Sequence, residues 1–140
     1  MISLRLVLDT NIVVSAALNP RGVERTVLLL ATAKPLHWYA SKAILAEYAL
    51  VLARRELGIR KGLRAQLLQL AVNHIRMVEP SSLPLITRDP GDNIFLECAD
   101  ASRADYLITG NRKDFPEFWK STKVITAREF LELIAPHLVR

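Results

Sequence analysis

The sequence predicts a single α/β domain spanning residues 1–140: a central parallel sheet of about five strands with helices on both faces, in three α/β/α layers. Three observations lead there. Short apolar runs of strand length, at residues 2–8, 36–40, 76–78, 105–109 and 123–125, alternate with longer stretches of helical periodicity. The chain has 140 residues, enough for one core of ordinary size. Nothing repeats internally, and no Gly/Ser- or Pro-rich linker divides it.

Composition excludes several classes. Half the residues are apolar, which excludes a disordered chain. Apolar runs such as Val27–Ala31 fall far short of the roughly 18 residues of a membrane span, and no signal peptide precedes the first strand. Cys98 is the only cysteine, so no internal disulfide forms and a reducing cytoplasm is the expected location. His37, His74 and His137 share no ligand spacing, which argues against zinc. The formal charge of +5 favours an anionic partner.

The first strand runs through Ile2–Leu8 as a β-branched and leucine-rich segment, and ends abruptly in Asp9-Thr10-Asn11. Ligands of open α/β sheets bind beyond the carboxyl ends of the strands, where Asp9 falls. The same residue types also cap helices, so Asp9 is equally readable as the N-cap of the next one. That helix covers Ile12–Leu18 and breaks at Asn19-Pro20-Arg21-Gly22. A second covers Val23 to about Ala33. Its Val27-Leu28-Leu29-Leu30 is apolar around too much of the circumference for one wet face, so it meets either a second subunit or more of its own core.

Leu36–Ala40 is the next strand, and Ser41 caps a helix expected to reach Leu57 before Gly58 ends it. Ile44, Leu45, Tyr48, Val51 and Leu52 form its apolar face, with Glu47 about 100° away on the border with water. Glu47 follows the strand by seven residues, within reach of the same sheet edge as Asp9, though a border glutamate is also an ordinary surface residue. Arg60 to His74 is a further helix. Arg54, Arg55, Arg60, Lys61 and Arg64 gather cations across this junction, as a solvated face or as phosphate contacts.

Arg76–Val78 is a brief strand and 79–91, with three prolines, a loop. Asp89-Pro90-Gly91-Asp92 starts a helix to about Ala104. Asp92 lies at its N-terminus, where the helix dipole keeps a carboxylate ionised; Asp89 competes for that role from the loop. Ile94, Phe95, Cys98, Ala101 and Ser102 are expected on the buried face, and Glu97 and Asp100 in solvent. Asp105–Thr109 is a second strand with a polar end, continuing into Gly110-Asn111-Arg112-Lys113-Asp114. A last strand at Lys123–Ile125 precedes a helix with the capping box Thr126…Glu129.

Right-handed crossovers bring the strand C-termini to one edge, so Asp9, Glu47, Asp92 and Asp114 can all approach it. Four carboxylates in one cleft need cations, and hard-oxygen clusters of this kind suit Mg²⁺ or Mn²⁺.

Four stretches carry a resemblance: Leu-Asp-Thr-Asn at 8–11, Ile-Leu-Ala-Glu-Tyr at 44–48, Asp-Asn-Ile-Phe-Leu-Glu-Cys-Ala at 92–99, and Ala-Asp-Tyr-Leu-Ile-Thr-Gly-Asn at 104–111 with Lys-Asp-Phe at 113–115. In that order and spacing the chain resembles PIN-domain nucleases, and within them the VapC-type toxins of toxin–antitoxin pairs. The resemblance implies Mg²⁺- or Mn²⁺-dependent cleavage of RNA and a cognate antitoxin. It places the family's first three acids on Asp9, Glu47 and Asp92. The fourth belongs where either Asn111 or Asp114 stands, and only Asp114 is a carboxylate. Asn11, Thr109 and Asn111 match small polar positions that orient acids and water. Arg112 and Lys113, and further out the Arg54–Arg64 cluster, are the expected RNA contacts, and a homodimer is expected through the helix around Val27–Leu30. Two alternatives stand beside this reading. One is a PIN-like module that binds RNA or a protein without catalysis. The other is a haloacid-dehalogenase-like phosphatase with Asp9 as nucleophile, although Asn11 stands where that family carries a second aspartate.

Overall fold

The computed structural model describes residues 3–81 and 90–139, with the backbone alone for residues 90–92. In chain order the regular elements are β1 (Leu4–Leu8), α1 (Thr10–Leu18), α2 (Val23–Ala31), β2 (Leu36–Ala40), α3 (Lys42–Leu52), α4 (Lys61–His74), β3 (Arg76–Met77), α5 (Pro90–Ser102), β4 (Tyr106–Ile108), β5 (Phe118–Trp119), β6 (Thr122–Ile125) and α6 (Ala127–Ile134). The strands form one sheet in the order β3-β2-β1-β4-β6-β5, sandwiched between helices.

β1 is central, with β2 and β4 paired parallel on either side. Leu6, Val7 and Leu8 are accordingly buried on both faces, which is why the run is continuously apolar rather than alternating. Leu8 is level with Ile108 of β4, and Ile108 with Ile125 of β6. Asp9, Thr109 and Thr126 therefore emerge together at one edge, held there by Asp9 N–H to Ile108 O and Thr109 N–H to Ile125 O, each 2.9 Å. The chain order reverses between β1 and β4, so this edge carries a switch-point crevice.

The five expected parallel strands are present, and a sixth joins them. β5 pairs antiparallel with β6 through Phe118–Lys123 and Trp119–Thr122. Its two-residue turn uses Lys120 at φ +54°, where hairpins usually carry glycine or asparagine, so no turn signature announced it. α3 stops at Leu52 rather than Leu57. The chain turns out at Arg54 (ψ 128°), makes a 3-10 turn at Arg55–Leu57, and leaves it through Gly58 at φ +63°, a conformation glycine adopts without a Cβ clash. α1 starts at Thr10, two residues early, because Asp9 caps it.

Burial corrects the face of α5 and divides that of α2. In α5, Asn93, Leu96 and Ala99 are buried while Ala101 is exposed, because the helix lies against β1, β2 and β4 and needs a wider apolar face than one stripe. Glu97 and Asp100 are half-buried, and Asp100 pairs with Lys120 at 2.9 Å. In α2, packed between α1 and α6, Val27 and Leu28 enter the protein's own core, whereas Leu29 is 50% exposed. The capping box of α6 forms as expected: Thr126 Oγ1 accepts from Glu129 N–H at 3.1 Å and Thr126 N–H donates to Glu129 at 2.9 Å. Cys98 is buried, which pushes its thiol up to about 12 and leaves it inert. No described helix is long and apolar enough to cross a membrane.

Candidate functional site

At the β1/β4 edge lies an open cavity of about 500 Å³, lined in part by Asp9, Asn11, Glu47, Arg54, Asn111 and Asp114. It thus brings together three of the four expected acids, contributed by the tip of β1, by α3, and by the 3-10 turn Arg112–Asp114 that follows β4. The carboxylate of Asp92 lies outside the described side chains; its backbone belongs to the first turn of α5. Asp89, its competitor, lies outside the described residues altogether.

Asp9 caps α1 and also lines the cavity at the sheet edge. Its Oδ1 accepts from Thr10 N–H at 2.7 Å, while Oδ2 accepts from Thr109 Oγ1 at 2.7 Å and Asn11 Nδ2 at 3.1 Å. The side chain is only 7% exposed. Burial raises its carboxyl above the ordinary value, the bonds from Thr109 and Thr10 draw it back, and the nearby charges of Glu47 and Asp114 push it up again. The same crowding makes the place attractive to a cation.

The small polar residues hold this carboxylate from several sides. Asn11 donates to Asp9 while its Oδ1 accepts from Gly110 N–H at 2.9 Å. Thr109 Oγ1 donates to Asp9 and accepts from Asn111 N–H at 3.0 Å. Two further residues were not singled out from sequence. Thr10 donates its hydroxyl to Glu47 Oε2, tying the second acid to the residue after the first. Tyr48, wholly buried, donates to Leu8 O at 2.5 Å and pins α3 to the end of β1. Thr10 stood inside a quoted motif, but its partner lies 37 residues away; nothing local marks either contact.

The expected cations divide. Arg54 lines the acidic cavity, whereas Arg55, Arg60 and Lys61 are exposed elsewhere and Arg64 is half-exposed. The shortened α3 causes this separation. Arg112 and Lys113 line a neighbouring cavity of about 410 Å³, and Arg112 is not free: its Nη1 reaches both carboxylate oxygens of Glu129 at 2.6 and 2.7 Å.

The donor set fits a hard divalent ion. The oxygen ligands lining the acidic cavity include the carboxylates of Asp9, Glu47 and Asp114 and the amide oxygens of two asparagines, with Arg54 as a cation at its side. Among the described residues no three Asp, Glu, His or Cys side chains stand close enough to ligate one ion directly.

A parallel sheet with an acidic switch-point crevice, fed by β1, α3, α5 and the turn after β4, defines a class, and comparison identifies it. The PIN domain family matches residues 5–113, and the chain belongs to that family. The match includes Asp9, Glu47 and Asp92 and ends one residue before Asp114. Membership displaces the phosphatase alternative. A relative from Methanocaldococcus jannaschii, the uncharacterized protein MJ1680, is 29% identical over 94% of this chain and 92% of its own length. The solved structure of VapBC2 from Rickettsia felis, bound to a DNA fragment from its promoter, superposes with a TM-score of 0.59 and 19% identity over 86% of this chain and 96% of that one. At that identity the likeness is one of fold.

Proposed function

We propose that the protein is a metal-dependent ribonuclease that hydrolyses RNA phosphodiester bonds, acting in the cytoplasm as the toxin of a toxin–antitoxin pair and working as a homodimer. The observation that carries this reading is the convergence of Asp9, Glu47 and Asp114 on one cavity, with Asp9 held by three donors. Asp9, Glu47 and Asp92 would form the main cradle for Mg²⁺ or Mn²⁺, with Asp114 completing it directly or through water. A bound ion of this kind supplies a Lewis acid and activation of the nucleophile for phosphodiester hydrolysis. Thr109, Asn11 and Thr10 N–H keep the Asp9 carboxylate fixed, and the Thr10 hydroxyl orients Glu47 toward it. Asn111 and Asp114 stand at the exposed rim of the cavity.

A water activated by such an ion would attack the phosphorus directly, without the ribose 2′-hydroxyl as nucleophile. The products should therefore carry 5′-phosphate and 3′-hydroxyl ends. The family relationship and the fold shared with VapBC2 support an antitoxin partner, and the half-exposed Leu29 and Leu18 support self-association through α1 and α2.

The test is cleavage of single-stranded RNA in Mg²⁺, Mn²⁺ or EDTA, with end-group analysis. Asp9→Asn should fold and lose most activity, and Glu97→Gln, whose side chain does not line the cavity, should keep it. EDTA-resistant cleavage giving 2′,3′-cyclic phosphates, or a fully active Asp9→Asn, would overturn the proposal.

A further inference from the structure

The 3-10 turn after β4 stands between two cavities. Asn111 and Asp114 line the acidic one, while Arg112 and Lys113 line the second, together with Lys123 of β6 and the acids Glu117 and Glu129. Three Cα steps separate 111 from 114, so the two cavities are no more than about 11 Å apart along the chain.

Charge in the second cavity is net positive: with Arg112 and Glu129 paired, Lys113 and Lys123 outnumber Glu117. Glu129 is fully engaged, by Arg112 and by the N–H of Thr126. Lys113 and Lys123 have no ion-pair partner among the described residues. Beside them stands an exposed aromatic ring. Phe118 is 55% exposed, lies directly across the β5–β6 hairpin from Lys123, and has the Lys123 ammonium 5.8 Å from its ring centre. The hairpin is anchored: Lys120 at its turn pairs with Asp100 of α5 and lies 5.6 Å from the centre of the Trp119 ring. A large apolar ring kept in water on a fixed two-stranded edge has no role in the core. Cations tracking a backbone with an adjacent ring for the bases is the combination by which proteins hold single strands.

We propose that this second cavity and Phe118 form a subsite for single-stranded RNA next to the cleavage site: Lys113 and Lys123 take a phosphate neighbouring the scissile one, and Phe118 stacks the attached base. The inference rests on the nuclease reading above and extends it to substrate recognition. A strand leaving the acidic cavity across the turn meets these groups next, which favours RNA over an acidic protein segment as their ligand.

The experiment compares the parent protein, Phe118→Ala, Phe118→Tyr and the double variant Lys113→Glu/Lys123→Glu on an octanucleotide and on a dinucleotide too short to reach the hairpin. Cleavage is followed in Mg²⁺, and octanucleotide binding by fluorescence anisotropy in EDTA. All three side chains are exposed, so melting temperatures should match the parent. Phe118→Ala should raise KM and Kd for the octanucleotide about tenfold, leave kcat and the dinucleotide unaffected, and be rescued by tyrosine. The double variant should lower the salt slope of binding by about 0.7 unit, the value for one phosphate of a single strand. Parent-like octanucleotide KM and Kd in Phe118→Ala, with cleavage intact, would overturn the subsite and leave the nuclease reading standing. Octanucleotide binding that needs Phe118 without any cleavage would support the subsite and overturn the nuclease. A Phe118→Ala effect on an acidic peptide but not on RNA would assign the surface to a protein and overturn the proposal.

Discussion

Tyr48→Phe isolates the contact that joins the helix of Glu47 to the strand of Asp9. The substitution removes one oxygen and keeps the ring, including its packing on Trp38 at 6.0 Å between ring centres. The hydroxyl is fully buried and donates to Leu8 O at 2.5 Å. Losing a buried hydrogen bond costs about 1 kcal/mol net, and a desolvated acceptor deprived of its partner adds a similar amount, so the total is about 2 kcal/mol. For a chain of this length that lowers Tm by about 6 °C. Burial also holds the phenol far above its ordinary pKa, so the bond is that of a neutral tyrosine across the working pH range. Calorimetry gives the Tm, and RNA cleavage measured well below both melting points gives kcat. Because Leu8 precedes Asp9 and Tyr48 follows Glu47, kcat should fall as well, by less than in Asp9→Asn. A Tm within about 1 °C of the parent would show that the hydroxyl contributes no net bond, and the account of how α3 is registered against β1 would fail.

Three other outcomes are expected. Mg²⁺ or Mn²⁺ at about a hundred times its Kd should stabilise the protein by about 2.7 kcal/mol, or about 8 °C in Tm, and Asp9→Asn should abolish the shift; an equal shift in the variant would place the ion elsewhere. Without metal, the raised carboxyl of Asp9 contributes stability that is complete below its unfolded value of about 3.9 and is lost as pH rises through its higher folded value. Urea titrations from acid to neutral pH should show this loss in the parent and a flatter profile in Asp9→Asn; identical profiles would remove Asp9 as the source. Light scattering should give about twice the 15.7 kDa chain mass, and Leu29→Glu should return the monomer; a monomeric parent at micromolar concentration would dispose of the dimer.

What could be read from the sequence was local. β1 is recognisable because a strand with neighbours on both sides and helices on both faces must be apolar throughout, and Leu6, Val7 and Leu8 are. Asp9 and Thr109 were visible as candidates because each ends such a run, and a parallel sheet brings those ends to one edge. The capping box of Thr126 and Glu129 spans three residues and was legible for the same reason. Glu47 could be placed on the border of the α3 face by helical period alone, and it is half-buried there.

Tertiary structure decided whatever depends on which distant segments meet. Helical periodicity ran through Leu57, but the chain leaves α3 after Leu52, which brings Arg54 and Leu57 to the acidic cavity and separates Arg54 from the rest of its cluster. β5 consists of two residues with no turn signal, and exists because β6 offers it a free edge. Arg112 looked like a free cation until α6 put Glu129 within 2.6 Å. The contacts that make separate carboxylates into one site, Thr10 with Glu47 and Tyr48 with Leu8, join residues 37 and 40 positions apart. Hydrophobic period and capping chemistry act within a turn or a strand and are written along the chain; such pairings follow from sheet register and helix packing, which only the assembled core fixes.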